Sequence, residues 1–157
     1  MRAVVLTVSD RVSGGEAADL SGPAAAAALS DLGFEPEVQV VPDGVDSVAA
    51  ALQAAVDDEV ALVITTGGTG VAPRDLTPEA TLLVIEREAP GLSEAMRAAT
   101  FGEIPHGMLS RGVSGIAGRT LILTRPGSPQ GVEESLAVVG PALAHAIALI
   151  RGEATSH

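Results

Sequence analysis

Strand-like apolar segments alternate with helix-like segments along the first half of the chain, and this pattern predicts three strands separated by helices. Residues 2–8 and 60–66 form apolar, largely β-branched runs that are typical of buried parallel strands. Residues 35–41 alternate in polarity like a further strand. Strands that alternate with helices are joined by right-handed crossovers, so these three strands predict a parallel sheet.

Helices are predicted between and after these strands, where helical periodicity lies between capping residues and glycine or proline breaks. They cover residues 23–32, with Ser21 as the cap and Gly33 as the stop, residues 46–56, capped by Asp46 or Ser47, residues 77–88, capped by Thr77 with Pro78 in the first turn, residues 92–101, and residues 130–139 and 141–151.

Residues 108–116 and 120–124 predict two short strands around a turn at residues 117–119, which would add an antiparallel hairpin to the sheet edge. The apolar run at residues 141–150 is about half as long as a membrane-spanning helix needs to be. No polar or low-complexity segment divides the chain. We therefore expect one α/β domain over residues 1–157, with a mostly parallel sheet and one antiparallel edge hairpin.

Composition and charge exclude several kinds of partner. The net charge is −11, and only 1% of the residues are aromatic, which argues against nucleic acid and anionic membranes as ligands. All the basic residues are arginine, so neither Schiff-base chemistry nor a P-loop lysine is possible. The absence of cysteine excludes disulfides and thiolate nucleophiles. The absence of cysteine, together with an amino terminus that enters a strand directly, leads us to expect a cytoplasmic protein.

The sequence TTGGTGVAPRDLTPEAT, residues 65–81, predicts an anion site between a strand and a helix. Gly67, Gly68 and Gly70 allow positive φ and close approach of backbone N–H groups to phosphate oxygens, and Thr69 adds a hydroxyl. The position favours a ligand, because open α/β sheets bind ligands at the carboxyl ends of their strands. The dinucleotide fingerprint does not fit, since Pro73 stands where its third glycine belongs. A purely structural tight turn is the alternative.

Asp43 and Asp75 follow two different predicted strands of the same sheet, so both could face one cleft and hold Mg²⁺. Taken alone, Asp43 is equally explained as a turn residue and Asp75 as a residue that initiates a helix.

Other polar residues stand at comparable positions. Ser9 and Asp10 follow the first strand, Gly127 and Ser128 lie in a proline-stiffened turn after the last strand, and Ser110 with Arg111 could contact a phosphate. Capping or a rigid turn would explain the same residues without a ligand. Glu94 and Arg97 are spaced to form a structural pair or an interface contact on one helix face.

Four segments belong together: the glycine segment of residues 65–81, VSDRVSGGEAADLSGP, APGLSEAMR and LILTRPGSPQGVEESL. They resemble the molybdopterin adenylyltransferase family, which includes bacterial enzymes and the G domain of gephyrin. The resemblance implies a three-layer α/β/α domain, commonly a homotrimer. It would bind ATP, Mg²⁺ and molybdopterin, and transfer AMP to the terminal phosphate of molybdopterin with release of pyrophosphate. A separate insertase would then add molybdate.

The resemblance also assigns roles by position. Asp75 matches the catalytic carboxylate and Asp43 a second important acidic residue, and these two would hold the metal. The nucleotide-phosphate loop would be Gly67, Gly68, Thr69 and Gly70. The same pocket would be bordered by Ser9, Asp10, Ser110, Gly127 and Ser128.

One residue departs from the family pattern, since Gln130 stands where many relatives have a basic residue. A non-catalytic trimer that binds molybdopterin or acts as a scaffold is the alternative to an enzyme, and a nucleotide pyrophosphatase on the same fold is a third possibility.

Overall fold

A six-stranded sheet runs through the middle of the computed structural model, which describes residues 1–100 and 105–153. The strands are β1 (Arg2–Val8), β2 (Glu35–Val41), β3 (Leu62–Thr66), β4 (Arg87–Glu88), β5 (Ser114–Ala117) and β6 (Thr120–Arg125). Their order is β2-β1-β3-β6-β5-β4. The first four in this order are parallel, and β5 is antiparallel to both of its neighbours. The predicted parallel sheet with an antiparallel edge is confirmed.

Helices cover both faces of this sheet. They are α1 (Asp10–Ser13), α2 (Ser21–Asp31), α3 (Val45–Asp57), α4 (Thr77–Val84), α5 (Pro90–Thr100) and α6 (Pro129–Arg151), with a 3₁₀ turn at Pro105–Leu109. The predicted helix end at Phe101 lies outside the described residues.

Successive residues of the central strands enter two separate cores, because side chains alternate between the faces of a sheet. Ala3 and Val5 of β1 pack in one core with buried residues of α2, α5 and α6. Val4 and Leu6 pack in the other core with buried residues of α3 and α4. The protein therefore has three layers, α/β/α, as the resemblance implied.

Several predicted caps have other roles in the structure. Ser21 is the first residue of α2, whose N-cap residue is Leu20, and Oδ1 of Asp19 accepts a hydrogen bond from the Gly22 N–H group in the first turn at 2.9 Å. Thr77 is likewise inside α4. Its hydroxyl donates to the carbonyl of Gly67 at 3.0 Å, so it holds the glycine loop instead of capping the helix.

The α3 prediction also needs a correction at its start. The helix begins at Val45 after Gly44, so neither Asp46 nor Ser47 is its cap. The Ser47 hydroxyl donates to the carbonyl of Pro42 at 2.8 Å and closes the turn that precedes the helix. The predicted stop at Gly33 is confirmed, since this residue follows α2 with φ +85°.

The chain between α4 and β6 also differs from the prediction. Helix α4 ends at Val84 rather than near Glu88, because Arg87–Glu88 pair with β5 as an edge strand. The predicted strand at residues 108–116 is shorter and is confined to Ser114–Ala117. Arg111 donates its N–H to the carbonyl of Thr69 at 2.8 Å, which holds this segment on the glycine loop instead of in the sheet.

The two predicted final helices are one helix of 23 residues, with Pro141 inside it. The buried apolar side chains of α6 keep a helical period across the proline, and they are Val132, Leu136, Val139, Leu143 and Ile147. By length and composition alone α6 could cross a bilayer. The length expected from residues 141–150 was too short, because these residues are only the second part of the helix. Its buried face packs in the core against the sheet.

Candidate functional site

Four loops meet at the edge of the sheet where the parallel strands end. The loop after β3 carries the glycines and Asp75, and the loop after β2 carries Asp43. The segment after β1 begins with Ser9, and the turn after β6 contains Gly127 and Ser128. Ligands of open α/β sheets bind at this edge, because the strand order leaves a crevice there.

The glycine loop has a backbone that other residues could not adopt without strain. Gly67 has φ +99° and Gly68 has φ +65°, both in the left-handed region. A side chain on Gly67 would overlap the carbonyl oxygen of Val8, and one on Gly68 would overlap the hydroxyl of Thr77. The Gly67 N–H donates to the Arg125 carbonyl at 3.0 Å. The sequence therefore needs glycine here for both conformation and space.

The structure brings together most of the predicted phosphate-binding residues. One cleft of about 310 Å³ is lined by Gly67, Gly68, Thr69, Gly70, Asp75, Ser110, Pro126 and Gly127. This volume lies in the range of small-molecule sites. Its lining combines the glycine-rich backbone, the hydroxyl-bearing residues Thr69 and Ser110, and the carboxylate of Asp75. Backbone N–H groups and hydroxyls can donate to phosphate oxygens, and a carboxylate can bind a metal ion that accompanies the phosphate.

Asp75 and Asp43 lie beside different glycines of the same loop. The Asp75 carboxylate accepts a hydrogen bond from the Ala72 N–H at 2.9 Å, and a Cβ on Gly70 would lie 2.8 Å from its Oδ2. Oδ1 of Asp43 lies 3.2 Å from the place of a Cβ on Gly68. Asp43 is not among the residues that line the 310 Å³ cleft. The glycine loop thus stands next to both carboxylates.

Asp10 is held by Arg74, a residue that was not among the predicted site residues. The Arg74 guanidinium forms a bidentate ion pair with Asp10, at 2.5 Å from Nε and 3.0 Å from Nη2, and also donates to the Asp43 carbonyl at 2.8 Å. The hydrogen bond from Arg74 lowers the pKa of Asp10 below its usual range. Asp10 therefore joins the loops after β1 and β2, and its carboxylate is already engaged.

Asp10 and Asp43 also exchange backbone contacts. The Asp10 N–H donates to Oδ2 of Asp43 at 2.8 Å, and the Asp43 N–H donates to Oδ1 of Asp10 at 3.1 Å. These reciprocal bonds fix the Asp43 side chain relative to β1. The signal for Arg74 in the sequence was its position directly before Asp75.

Arg111 fastens the glycine loop to the start of α4. Its Nε donates to the Gly70 carbonyl at 2.7 Å, its Nη2 donates to the Asp75 carbonyl, and its Nη1 pairs with Glu79. The hydrogen bond from Arg111 lowers the pKa of Glu79. The guanidinium that we expected to contact a phosphate is thus occupied by these groups, while Ser110 beside it lines the cleft.

A second cleft of about 260 Å³ shares Gly67 and Gly127 with the first. These two glycines are in close contact, since a Cβ on Gly127 would lie 3.2 Å from the Cα of Gly67. Ser9, Asp19, Ser21 and Thr66 contribute polar groups to it. Ser9 also caps α1, since its hydroxyl accepts from the Val12 N–H at 3.3 Å. Asp19 is a further polar residue of this cleft, and nothing in the sequence pattern distinguishes it from an ordinary loop aspartate.

Ser128 and the Glu94–Arg97 pair are placed differently from the predictions. The Ser128 hydroxyl caps α6 by accepting the Gly131 N–H at 3.1 Å, and Ser128 is absent from the lining of both clefts. Arg97 donates to the Gly112 carbonyl at 2.7 Å, and among the described residues it forms no ion pair with Glu94. Over residues 1–100 and 105–153, no three His, Cys, Asp or Glu side chains are grouped to hold a metal.

Comparison with known proteins assigns this chain to one family. The family described as "Probable molybdopterin binding domain" matches residues 4–145, so the chain belongs to this family. The resemblance noted from the motifs is thereby confirmed.

Individual relatives agree with this assignment. The chain is 40% identical to a molybdopterin adenylyltransferase of Helicobacter pylori, over 94% of this chain and 86% of that protein. It is also 40% identical to gephyrin of Dictyostelium discoideum, over 97% of this chain, but it spans only 23% of gephyrin's length. A solved structure of the molybdopterin biosynthesis enzyme MoaB from Thermus thermophilus superposes with a TM-score of 0.91 at 45% identity, covering 97% of each chain.

Proposed function

We propose that this protein is a Mg²⁺-dependent molybdopterin adenylyltransferase of molybdenum cofactor biosynthesis. The observation that carries the proposal is the single cleft lined by the four residues of the glycine loop, Asp75, Ser110 and Gly127. It occurs in a chain that is 40% identical to enzymes named for this reaction. ATP and molybdopterin are the proposed substrates.

In the proposed reaction an oxygen of the terminal phosphate of molybdopterin attacks the α-phosphorus of ATP in line. The bond from that phosphorus to the oxygen bridging the β-phosphate breaks, and pyrophosphate leaves with the electron pair. A phosphate monoester has a second pKa of about 6, so it is largely a dianion at neutral pH and needs no protein base. The protein contributes positioning and stabilisation of charge.

Positioning is the part that this chain's own residues supply. The Gly67 N–H is bonded to the Arg125 carbonyl, so the left-handed backbone at Gly67 and Gly68 would bring the later N–H groups of the loop towards the phosphates. Ser110 and Thr69 contribute hydroxyls, and Arg111 keeps the loop in place through the carbonyls of Gly70 and Asp75. A loop held from two sides needs little reorganisation when the substrate binds.

Asp43 and Asp75 fit a Mg²⁺ that is shared with substrate phosphates. Each carboxylate has one oxygen held by a backbone N–H group, of Asp10 and of Ala72, while its other oxygen has no partner in the described part of the chain. Mg²⁺ usually takes only one or two protein carboxylates and completes its shell with phosphates and water. When bound, it would offset the charge on the phosphates.

The same proposal covers the setting in which the protein works. We infer a homotrimer in the cytoplasm that hands its product to a molybdenum insertase, with no role in binding nucleic acid or membranes. The absence of cysteine suits a reducing compartment, and the net charge of −11 disfavours polyanionic partners. Light scattering of the purified protein tests the trimer.

The direct test supplies purified protein with Mg²⁺, molybdopterin and ATP labelled on its α-phosphate. We expect label to appear on molybdopterin with one pyrophosphate released per transfer, and chelation of the metal to stop the reaction. Binding of both substrates without transfer would overturn the enzyme proposal in favour of a pterin-binding or scaffolding protein. Release of pyrophosphate without labelled molybdopterin would point to a nucleotide pyrophosphatase.

A further inference from the structure

Arg125 is a fully buried arginine at the end of β6. Its relative exposure is 0%, and it is the largest of the fully buried side chains among the described residues. Its Nη2 donates to the carbonyl of Gly131 in the first turn of α6. Its own backbone carbonyl accepts the N–H of Gly67 at 3.0 Å. Arg125 therefore connects the glycine loop with the amino end of α6.

The rest of the Arg125 guanidinium has no partner among the described residues. Over residues 1–100 and 105–153, neither Nε nor Nη1 is hydrogen-bonded and no carboxylate forms an ion pair with it. Burial lowers the pKa of Arg125 to about 10, so it is still protonated at neutral pH. A buried charge without a counterion is costly, and natural proteins keep such groups where something compensates them.

The position of Arg125 relates this charge to the two clefts. It pairs in register with Thr66, which lines the second cleft. The next two residues, Pro126 and Gly127, line the first cleft, and Gly127 lines both. The amino end of α6 begins at Pro129 and adds the positive end of a helix dipole. In a buried region this positive potential is only weakly screened.

We propose that Arg125 is a specificity-determining residue for anionic ligands, whose unpartnered positive charge is compensated by a phosphate group bound against the Gly67–Gly127 contact. Arg125 acts from the protein interior, below the turn that contains Pro126 and Gly127. There it supplies a positive charge and helps to hold the turn in position. The inference deepens the proposed function and rests on it for the identity of the ligand as a phosphorylated molecule.

The first test compares the wild type with Arg125→Met and with the control Arg119→Met. Arg119 is exposed in the turn between β5 and β6, at the opposite end of the sheet, so its loss changes net charge equally. Inorganic pyrophosphate is titrated into each protein by calorimetry. We expect Arg125→Met to bind it about tenfold or more weakly than Arg119→Met, because the weakly screened buried charge that attracts the phosphate through the turn is lost. A loss of about threefold or less would overturn the proposal, as would a wild type that binds no pyrophosphate.

The stability of the ligand-free protein separates this function from a structural one. Removing an unpaired buried charge for an apolar side chain is often neutral or stabilising. The urea midpoint of Arg125→Met is therefore expected to equal or exceed that of the wild type. A lower midpoint with unchanged pyrophosphate affinity would assign Arg125 to folding alone and overturn the proposal.

A measurement on the wild type decides the case if Arg125→Met folds poorly. The Nε–H resonances of the arginines are recorded by NMR, and the resonance missing from Arg125→Lys is assigned to Arg125. We expect pyrophosphate to shift this resonance, and an unmoved resonance at saturation would overturn the proposal. None of these measurements needs turnover, so a protein that fails to adenylylate molybdopterin could still satisfy them.

Discussion

At the scale of single residues, one carboxylate oxygen of Asp75 accepts a hydrogen bond from the Ala72 N–H group, and Asp75 lines the 310 Å³ cleft. The Asp75→Asn variant keeps an oxygen that can accept this bond, so its stability is expected to stay near the wild-type value. Its negative charge is lost, and we expect kcat to fall by about 100-fold or more. Steady-state adenylyl transfer and urea unfolding measure the two quantities.

The control for this substitution is Asp58→Asn. Asp58 pairs with Arg2 on the surface, away from the clefts, so its change should leave kcat unaltered. An Asp75→Asn enzyme as fast as the Asp58→Asn control would remove Asp75 from the mechanism.

Arg74 gives the loop region a measurable response to pH. Its hydrogen bond lowers the pKa of Asp10 in the folded protein relative to the unfolded chain. The resulting stabilisation is complete above the unfolded pKa of about 3.9 and disappears as the pH falls through the lower, folded value. In Arg74→Gln we expect the pKa of Asp10 to rise, and the stability difference from wild type to vanish in acid.

Carboxyl NMR titration of Asp10 measures this effect, with Arg2→Gln as the matched variant. Arg2 lowers the pKa of Asp58 in the same way, so its loss should move Asp58 and leave Asp10 unchanged. An Asp10 titration curve that is identical in wild type and Arg74→Gln would contradict the ion pair.

At the scale of elements, the glycine loop depends on both conformation and space, and two glycines separate these requirements. Gly15 has φ +76° with no atom within 4 Å of a Cβ, whereas a Cβ on Gly68, at φ +65°, would overlap the Thr77 hydroxyl. In Gly15→Ala the free energy of unfolding should fall by only about 1–2 kcal/mol, the cost of a left-handed backbone at alanine. In Gly68→Ala it should fall by at least about 1 kcal/mol more, because overpacking against Thr77 adds to that cost.

Urea unfolding of the two variants checks this difference, and pyrophosphate titration adds a functional measure. We expect Gly68→Ala to lose affinity for pyrophosphate and Gly15→Ala to keep it. Equal stability losses in the two variants would mean that the loop relaxes around the added methyl group.

The main elements could be predicted because each has a local pattern. Alternation and β-branching marked β1, β2 and β3, and glycine and proline marked most helix boundaries. The break expected at Pro141 was wrong, because the buried positions on either side keep one helical face against the core. The short edge strand β4 depends on pairing with β5, which is 26 or more residues away and leaves no local signal.

The candidate site also has one part that the sequence could predict and another that it could not. The glycine loop and Asp75 could be found because they lie within one short segment between a strand and a helix. The contact of Arg111 with Gly70 joins residues 41 positions apart, so the sequence could suggest a free guanidinium but not its partners. Arg125 looks like an ordinary strand residue until α6 and the turn bury it.

At the scale of the whole molecule, two apolar cores share the same central strands, since neighbouring residues of β1 enter opposite cores. If the sheet opens, both cores lose their packing at the same time. We therefore expect the proposed single domain to unfold in one transition, with coincident curves from circular dichroism and from ligand-independent NMR signals. For the proposed trimer, the midpoint should also rise with protein concentration.

Substrate binding should be visible in the stability of the whole molecule, despite the net charge of −11. Mg²⁺ and ATP at about 100 times the Kd should add about 2.7 kcal/mol, because they bind only the folded protein. For a chain of this size that corresponds to an increase in Tm of roughly 5–10 °C. Gly68→Ala should show a smaller increase, since its loop is displaced. If Mg²⁺ and ATP leave the wild-type Tm unchanged while molybdopterin alone raises it, the chain binds the pterin without the nucleotide. The non-catalytic alternative would then replace the adenylyltransferase.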